Sequence, residues 1–117
     1  MPHIILEYSQ DTIPDNVVKT MVSSAYDAVK STGLFDEANL KVRAHPVTHY
    51  QLGLLDCGFI HVMCRIHSGK TDEQKRLLTQ TVLKNLEGLF KGSVVITVEV
   101  VDMDKSTYAK ALVSGES

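Results

Sequence analysis

FIHVMCRIHSGKTDEQK, residues 59–75, changes its periodicity within one short stretch. Residues 59–67 read as a strand, and Thr71 with Gln74 three residues later forms a capping-box helix start. Leu78, Val82, Leu86 and Leu89 then recur at steps of three and four, the apolar stripe of a helix that Gly92 is placed to close. Residues 94–101 follow as a nearly continuous β-branched run broken by Thr97 and Glu99, which suits a strand covered on both faces. The unit is β-α-β.

The first half has the same order. Residues 3–8 read as a strand, and Pro14 suits an early helical position, where its missing N–H costs nothing. Val18, Met21, Val22, Ala25 and Val29 form one stripe, Gly33 supplies a left-handed stop, and the helix ends near Ser31. Leu40, Val42 and Ala44 then alternate with Lys41, Arg43 and His45. Phe59 lies 57 residues after Pro2, Thr71 57 after Pro14 and Val94 54 after Leu40, so the elements recur although the residues do not. The expected fold is α/β (α+β): duplicated βαβ units forming a four-stranded mixed sheet with two helices on one face. It occupies a single domain over residues 1–117, with pseudo-repeats 2–47 and 59–101, a linker at 48–58 and a polar tail at 105–117 that docks or frays. Two right-handed crossovers side by side leave the other sheet face bare. Both strand parities are rich in apolar residues, Ile4 and Leu6 against Ile5, Ile60 and Val62 against Phe59 and Met63. Bare faces that meet in a homo-oligomer are therefore expected.

Composition narrows the function. Of 117 residues 44% are hydrophobic and 22% charged, with seven Gly and three Pro, which excludes disorder, collagen and coiled coil. Twelve Lys and Arg against fourteen Asp and Glu give a net charge of −2, so no global positive field favours nucleic acid. No apolar run approaches the roughly 18 residues of a membrane span, and the start MPHIILEYS has a glutamate inside what would be a leader's apolar core. A cytoplasmic protein that engages no membrane is expected. Cys57 and Cys64 read as free thiols, outside any CxxC pair.

Pro2 is the most informative residue. Initiator-methionine excision tolerates a small second residue, and removal of Met1 leaves a secondary amine on a rigid ring at the start of a strand. An α-amino group titrates near roughly 7.7 to 8.0, a prolyl amine somewhat higher, and nearby cations or burial disfavour its charged form. A value near about 7 leaves about half the amine as free base at neutral pH, where a general base works best. The plain alternative is a proline that merely permits processing and starts a strand. No metal is expected: Pro46 interrupts His45 and His49, and His61 and His67 stand about 20 Å apart along one strand. Cys64 reads as a small buried apolar group, and His3, His61 and His67 as structural.

MPHIILEYS, GLF at 33–35, LKVR at 40–43 and FIHVMCRIHSGKTDEQK together resemble the 5-carboxymethyl-2-hydroxymuconate Δ-isomerases of the tautomerase superfamily, over most of the chain. The resemblance implies a tautomerase-like fold, a homotrimer, and an amino-terminal proline base, here Pro2. The implied reaction moves a proton within an unsaturated 2-hydroxy or 2-oxo dicarboxylic acid during homoprotocatechuate breakdown, with neither metal nor cofactor. Such a reaction builds a dienolate that needs positive partners. Lys41 and Arg43, two apart on one strand, and Lys70, just before the second helix, are the available cations. Backbone N–H groups from Ser68 to Thr71 offer a carboxylate cradle, and Tyr50 in the linker is placed to rim a pocket. Members of that family carry arginine where this chain has Lys41 and Lys70. A lysine is a point charge where arginine grips bidentately, so the exact substrate stays open. The macrophage migration inhibitory factor branch, acting on phenylpyruvate-like acids, shares the proline and the duplication. The order βαββαβ also suits a non-catalytic, ferredoxin-like ligand-binding module.

Overall fold

Strand β1 (His3–Ser9) lies inside the sheet, parallel to β2 (Lys41–Val47) on one side and antiparallel to β3 (Gly58–His67) on the other. Strand β4 (Val94–Met103) runs parallel to β3 at the far edge, so the strand order is β2-β1-β3-β4. Helix α1 (Asp15–Ser31) joins β1 to β2, and α2 (Asp72–Glu87) joins β3 to β4. A single turn of 3-10 helix, Glu37–Asn39, precedes β2. This computed structural model describes residues 2–53 and 56–115. Met1, residues 54–55 of the expected linker and the last two residues of the expected tail lie outside the described residues.

Each strand and helix expected from periodicity is present, and the two βαβ units have matching topology. The crossovers join neighbouring strands. In the split βαβ arrangement of ferredoxin-like modules another strand intervenes, so the pairing excludes that reading of the element order. Thr71 and Gln74 form the reciprocal capping box, with Thr71 Oγ1 accepting from Gln74 N at 3.1 Å and Gln74 Oε1 accepting from Thr71 N at 2.9 Å. Gly33 takes the left-handed conformation at φ +69° just past α1. Gly92 does not close α2. The helix ends at Glu87 with Gly88 as its cap, a residue that costs about 1 kcal/mol inside a helix. Strand β4 is an edge strand, hydrogen-bonded to β3 alone within the described chain.

Alternation in the strands decides which residues form the core. Ile4, Leu6 and Tyr8 of β1, with Ile60, Val62, Cys64 and Ile66 of β3, are buried under both helices. They meet Met21, Ala25, Ala28 and Val29 from α1 and Leu78, Val82 and Leu86 from α2. Each large aliphatic side chain so buried contributes about 1.5–3 kcal/mol. Ser24 Oγ also donates to Asn85 O at 3.3 Å, tying the helices together.

The opposite face is not the continuous apolar surface expected from strand composition. Register sets Lys41, His3, Arg65 and Val101 in one row across the sheet and Arg43, Ile5, Met63 and Glu99 in the next. His45, Glu7, His61 and Thr97 make a third. His61 bonds Thr97 Oγ1 through Nδ1 at 2.7 Å and pairs with the Glu99 carboxylate through Nε2. Within each strand the same parity already carries charged or titratable side chains, His3 and Glu7 with Ile5 on β1 and His61 and Arg65 with Met63 on β3.

Gly58 starts β3 where Ser9 and Thr12 cross it. Ser9 Oγ accepts from Phe59 N at 3.0 Å, and a Cβ on residue 58 would come 2.4 Å from Thr12 Oγ1 and 3.0 Å from Ser9 Oγ. Gly58→Ala is therefore expected to lower unfolding stability by about 1–3 kcal/mol through overpacking at the β1–β3 junction. Chemical denaturation checks this, and wild-type stability would show that the junction relaxes freely.

Candidate active site

Pro2 opens the central strand with its ring wholly buried, and its carbonyl accepts the Lys41 N–H at 3.1 Å. Its nitrogen in the intact chain belongs to the Met1–Pro2 peptide bond and has no basic lone pair. One residue on, His3 stands between Lys41 on β2 and Arg65 on β3. The antiparallel β1–β3 register brings the end of β3, and the loop that carries Ser68 and Lys70, to this same end of the sheet. Pro2, Lys41, Arg43, Ser68 and Lys70 are thus gathered at one end.

The cations hold different positions. Lys41 Nζ donates to Asn39 O at 3.1 Å, Arg43 Nη1 donates to His3 Nδ1 at 3.2 Å, and Lys70 Nζ lies 5.5 Å from the Phe35 ring centroid. The last is a cation–π contact. A cavity of about 510 Å³ runs along the outer edge of β2, where Tyr26 and Asp27 of α1 face Lys41 and Arg43. Another, of about 420 Å³, lies over the end of the sheet between His3, Arg43, Arg65, Thr107 and Tyr108, with Asp102 and Asp104 at its rim. Arg43 borders both.

The tail docks. After β4 a turn at Asp104, held by Ser106 N and Oγ at 2.9 and 2.7 Å, swings the chain back over the sheet end. Tyr108 then sets its ring edge-on to His67, with centroids 5.0 Å apart, and to His3 at 6.0 Å. Its hydroxyl lies 2.8 Å from His3 Nε2, and Lys110 Nζ reaches Asn39 Oδ1 at 2.9 Å. His67 Nδ1 is buried with no hydrogen-bond partner among the described residues.

Two expected contributors differ. The Ser68 N–H donates to Met103 O at 3.0 Å and the Thr71 N–H is taken by Gln74, so the backbone cradle from Ser68 to Thr71 has already committed two of its donors. Tyr50 lies beyond the other end of β1, about 20 Å from Pro2 by strand rise. There it donates to Asp11 Oδ1 and packs on Phe59 at 5.1 Å. Burial pushes the Cys64 thiol up to about 12, and the side chain sits in the core on the face away from His61 and His67. No group of three or more His, Cys, Asp or Glu among the described residues is placed to hold a metal, and no helix among them is long and apolar enough to cross a membrane. Sequence reasoning missed Arg65, the engagement of His3 with Arg43, and Tyr108. Parity alone pairs Arg65 with His61 and His67, but only the β1–β3 register sets it beside His3.

Residues 2–111 match the family model of 5-carboxymethyl-2-hydroxymuconate isomerase. A search of curated proteins found no match. Among solved structures, a 5-carboxymethyl-2-hydroxymuconate isomerase from Deinococcus radiodurans R1 superposes with TM-score 0.81 at 18% identity, covering 94% of this chain and 88% of that one. A fused 4-OT described as a wild-type symmetric trimer gives 0.79 at 11% identity, with 93% of each chain covered. A macrophage migration inhibitory factor-like protein from Entamoeba histolytica gives 0.72 at 16%, covering 94% of this chain and 95% of that one. At these identities the likeness establishes a shared tautomerase fold.

Burial holds both His3 and His67 below the ordinary imidazole value of 6.5, and Arg43 and Lys41 depress His3 further. The unfolded chain therefore binds more protons than the folded one once the pH drops below 6.5, and stability falls as pH falls through that window. The melting temperature is expected to be flat above about pH 7 and to decline toward pH 5, less steeply in His3→Gln. A decline of equal slope in that variant would remove His3 as a contributor.

Proposed function

Because the chain belongs to the 5-carboxymethyl-2-hydroxymuconate isomerase family, we propose that it is a cofactor-independent isomerase acting on an unsaturated 2-hydroxy or 2-oxo dicarboxylic acid of that kind, with Pro2 as its base. The observation that carries this reading is the position of Pro2. Its ring is buried at the start of the central strand on the core parity of Ile4, and the next residue, His3, turns to the other face in the row Lys41–His3–Arg65 at the same strand end. Once Met1 is removed, the secondary amine takes a proton from the substrate and the electron pair delocalises as a dienolate. The protonated proline then returns that proton to the other end of the conjugated system. Proton count and charge balance across the cycle.

Cations serve the two charged parts of such a substrate. Lys41 and Arg43 face the developing oxyanion and one carboxylate, and Lys70, in the loop at the same end, serves the other. The same positive charges disfavour a protonated proline, which keeps part of the amine free at neutral pH. Ser68 keeps only its hydroxyl for substrate, since its N–H is engaged. Tyr50 enters this reading only across a subunit interface. Three copies associating through their bare sheet faces supply one, and the fused 4-OT trimer of like fold supports that assembly.

Intact-mass measurement of the purified protein is expected to show loss of one methionine. The processed protein should isomerise the dicarboxylate, and a form that retains methionine should be inactive. Equal rates for the two forms contradict the base assignment. Turnover of phenylpyruvate but not of the dicarboxylate would move the protein to the keto–enol tautomerase reading, and no turnover of either to a ligand-binding role. Arg43→Ala is expected to lower kcat/KM about tenfold to a hundredfold, through both KM and kcat. An unchanged kcat/KM makes Arg43 structural. Sedimentation should give a trimer at micromolar concentration, and a stable monomer contradicts the assembly.

A further inference from the structure

Arg43 borders both cavities at the Pro2 end, yet it sits on an edge strand with a long, flexible side chain. What fixes its guanidinium is His3, and what fixes His3 is the tail. An arginine has donors only, so the 3.2 Å contact requires His3 Nδ1 to present its lone pair. The ring proton is then on Nε2, which donates to Tyr108 Oη at 2.8 Å. Tyr108 is itself held by the His67 ring, by the Asp104 turn and by the Lys110–Asn39 contact.

We propose that His3 and Tyr108 are positioning residues that aim the Arg43 guanidinium at a substrate carboxylate, so that the C-terminal tail completes the site. This deepens the isomerase reading and rests on it. The tail crosses the ends of β3, β1 and β2 in turn, meeting His67, His3 and Asn39, and thereby closes the end of the sheet where Pro2 lies. The groups facing His3 are Lys41 and Arg43 from β2, Arg65 from β3 and Tyr108 from the tail, with Asp102 and Asp104 on the rim of the same cavity. Protonating His3 puts a hydrogen and a positive charge against Arg43 and breaks the contact. The clasp therefore works only with neutral His3.

The test uses the full processed chain, labelled with ¹⁵N-histidine, and three variants. Wild type should show the Nε2–H tautomer of His3 by NMR. Tyr108→Phe keeps the ring contacts but loses the acceptor, and should raise KM for the dicarboxylate about tenfold and lower kcat in the same direction as Arg43→Ala but by less. His3→Leu should do the same, whereas His3→Gln, which both accepts and donates, should restore a near-wild-type KM. His3→Gln should also remove the additional step of about tenfold in kcat/KM that protonation of His3 adds on the acid side of the Pro2 limb. An Nδ1–H tautomer, or an active enzyme whose KM is unmoved in Tyr108→Phe and His3→Leu, overturns the proposal. The Kd of 2-oxoadipate, read by NMR, needs no turnover. If the wild type proves inactive the isomerase reading fails, and the clasp is then decided by whether that Kd and the tautomer follow the same pattern across the variants.

Discussion

The register of β1 between its two neighbours is the constraint on which everything else depends. With His3 opposite both Lys41 and Arg65, three titratable or cationic side chains from three strands meet one residue from the start of the central strand. A slip of one residue in either pairing would turn Lys41 or Arg65 toward the helices and bury a charge in the core. The hydrophobic pattern forbids that slip, since Ile4, Leu6, Ile60, Val62 and Cys64 would be expelled from the core together. Packing on one face of the sheet thus fixes which side chains meet on the other.

Under the proposed function, a terminal secondary amine is a base suited to this position. An ordinary lysine would have to be desolvated by several units of pKa to act near neutral pH, whereas a terminal secondary amine starts closer and needs only a modest push. In the proposed reading Lys41, Arg43 and Arg65, in neighbouring rows at this end of the sheet, supply it by charge. These cations face one another across neighbouring strands, an arrangement that attracts anions. Asp102 and Asp104 line the same cavity, Asp102 paired with Lys75 Nζ at 2.8 Å and Asp104 accepting from Ser106.

Much of this was legible in the sequence because it is local. The α1 stripe, the capping box of Thr71 and Gln74, the left-handed Gly33 and the repeated βαβ order are all set by residues within a few positions of one another. What escaped depends on distant parts of the chain. Arg65 alternates with core residues like any surface arginine until β1 is laid beside it, and Tyr108 is anonymous until β4 has ended and the tail has turned back. The end of α2 was misplaced because two glycines, Gly88 and Gly92, compete for the same role and only packing chooses between them. The bare face was read as apolar because Ile5, Phe59 and Met63 were weighed without His3, Glu7, His61 and Arg65 of the same parity, and Tyr50 was put near the site because a linker has no direction until its ends are fixed.

The central claim concerns a single nitrogen, and titration of that nitrogen tests it most directly. In the processed protein labelled with ¹⁵N-proline, the amino-terminal resonance followed from pH 5 to 10 should move through a midpoint depressed well below that of a free prolyl amine, toward neutrality. Replacing Arg43 should raise the midpoint. A nitrogen that stays charged throughout the range, or one still acylated in the active protein, would contradict the account.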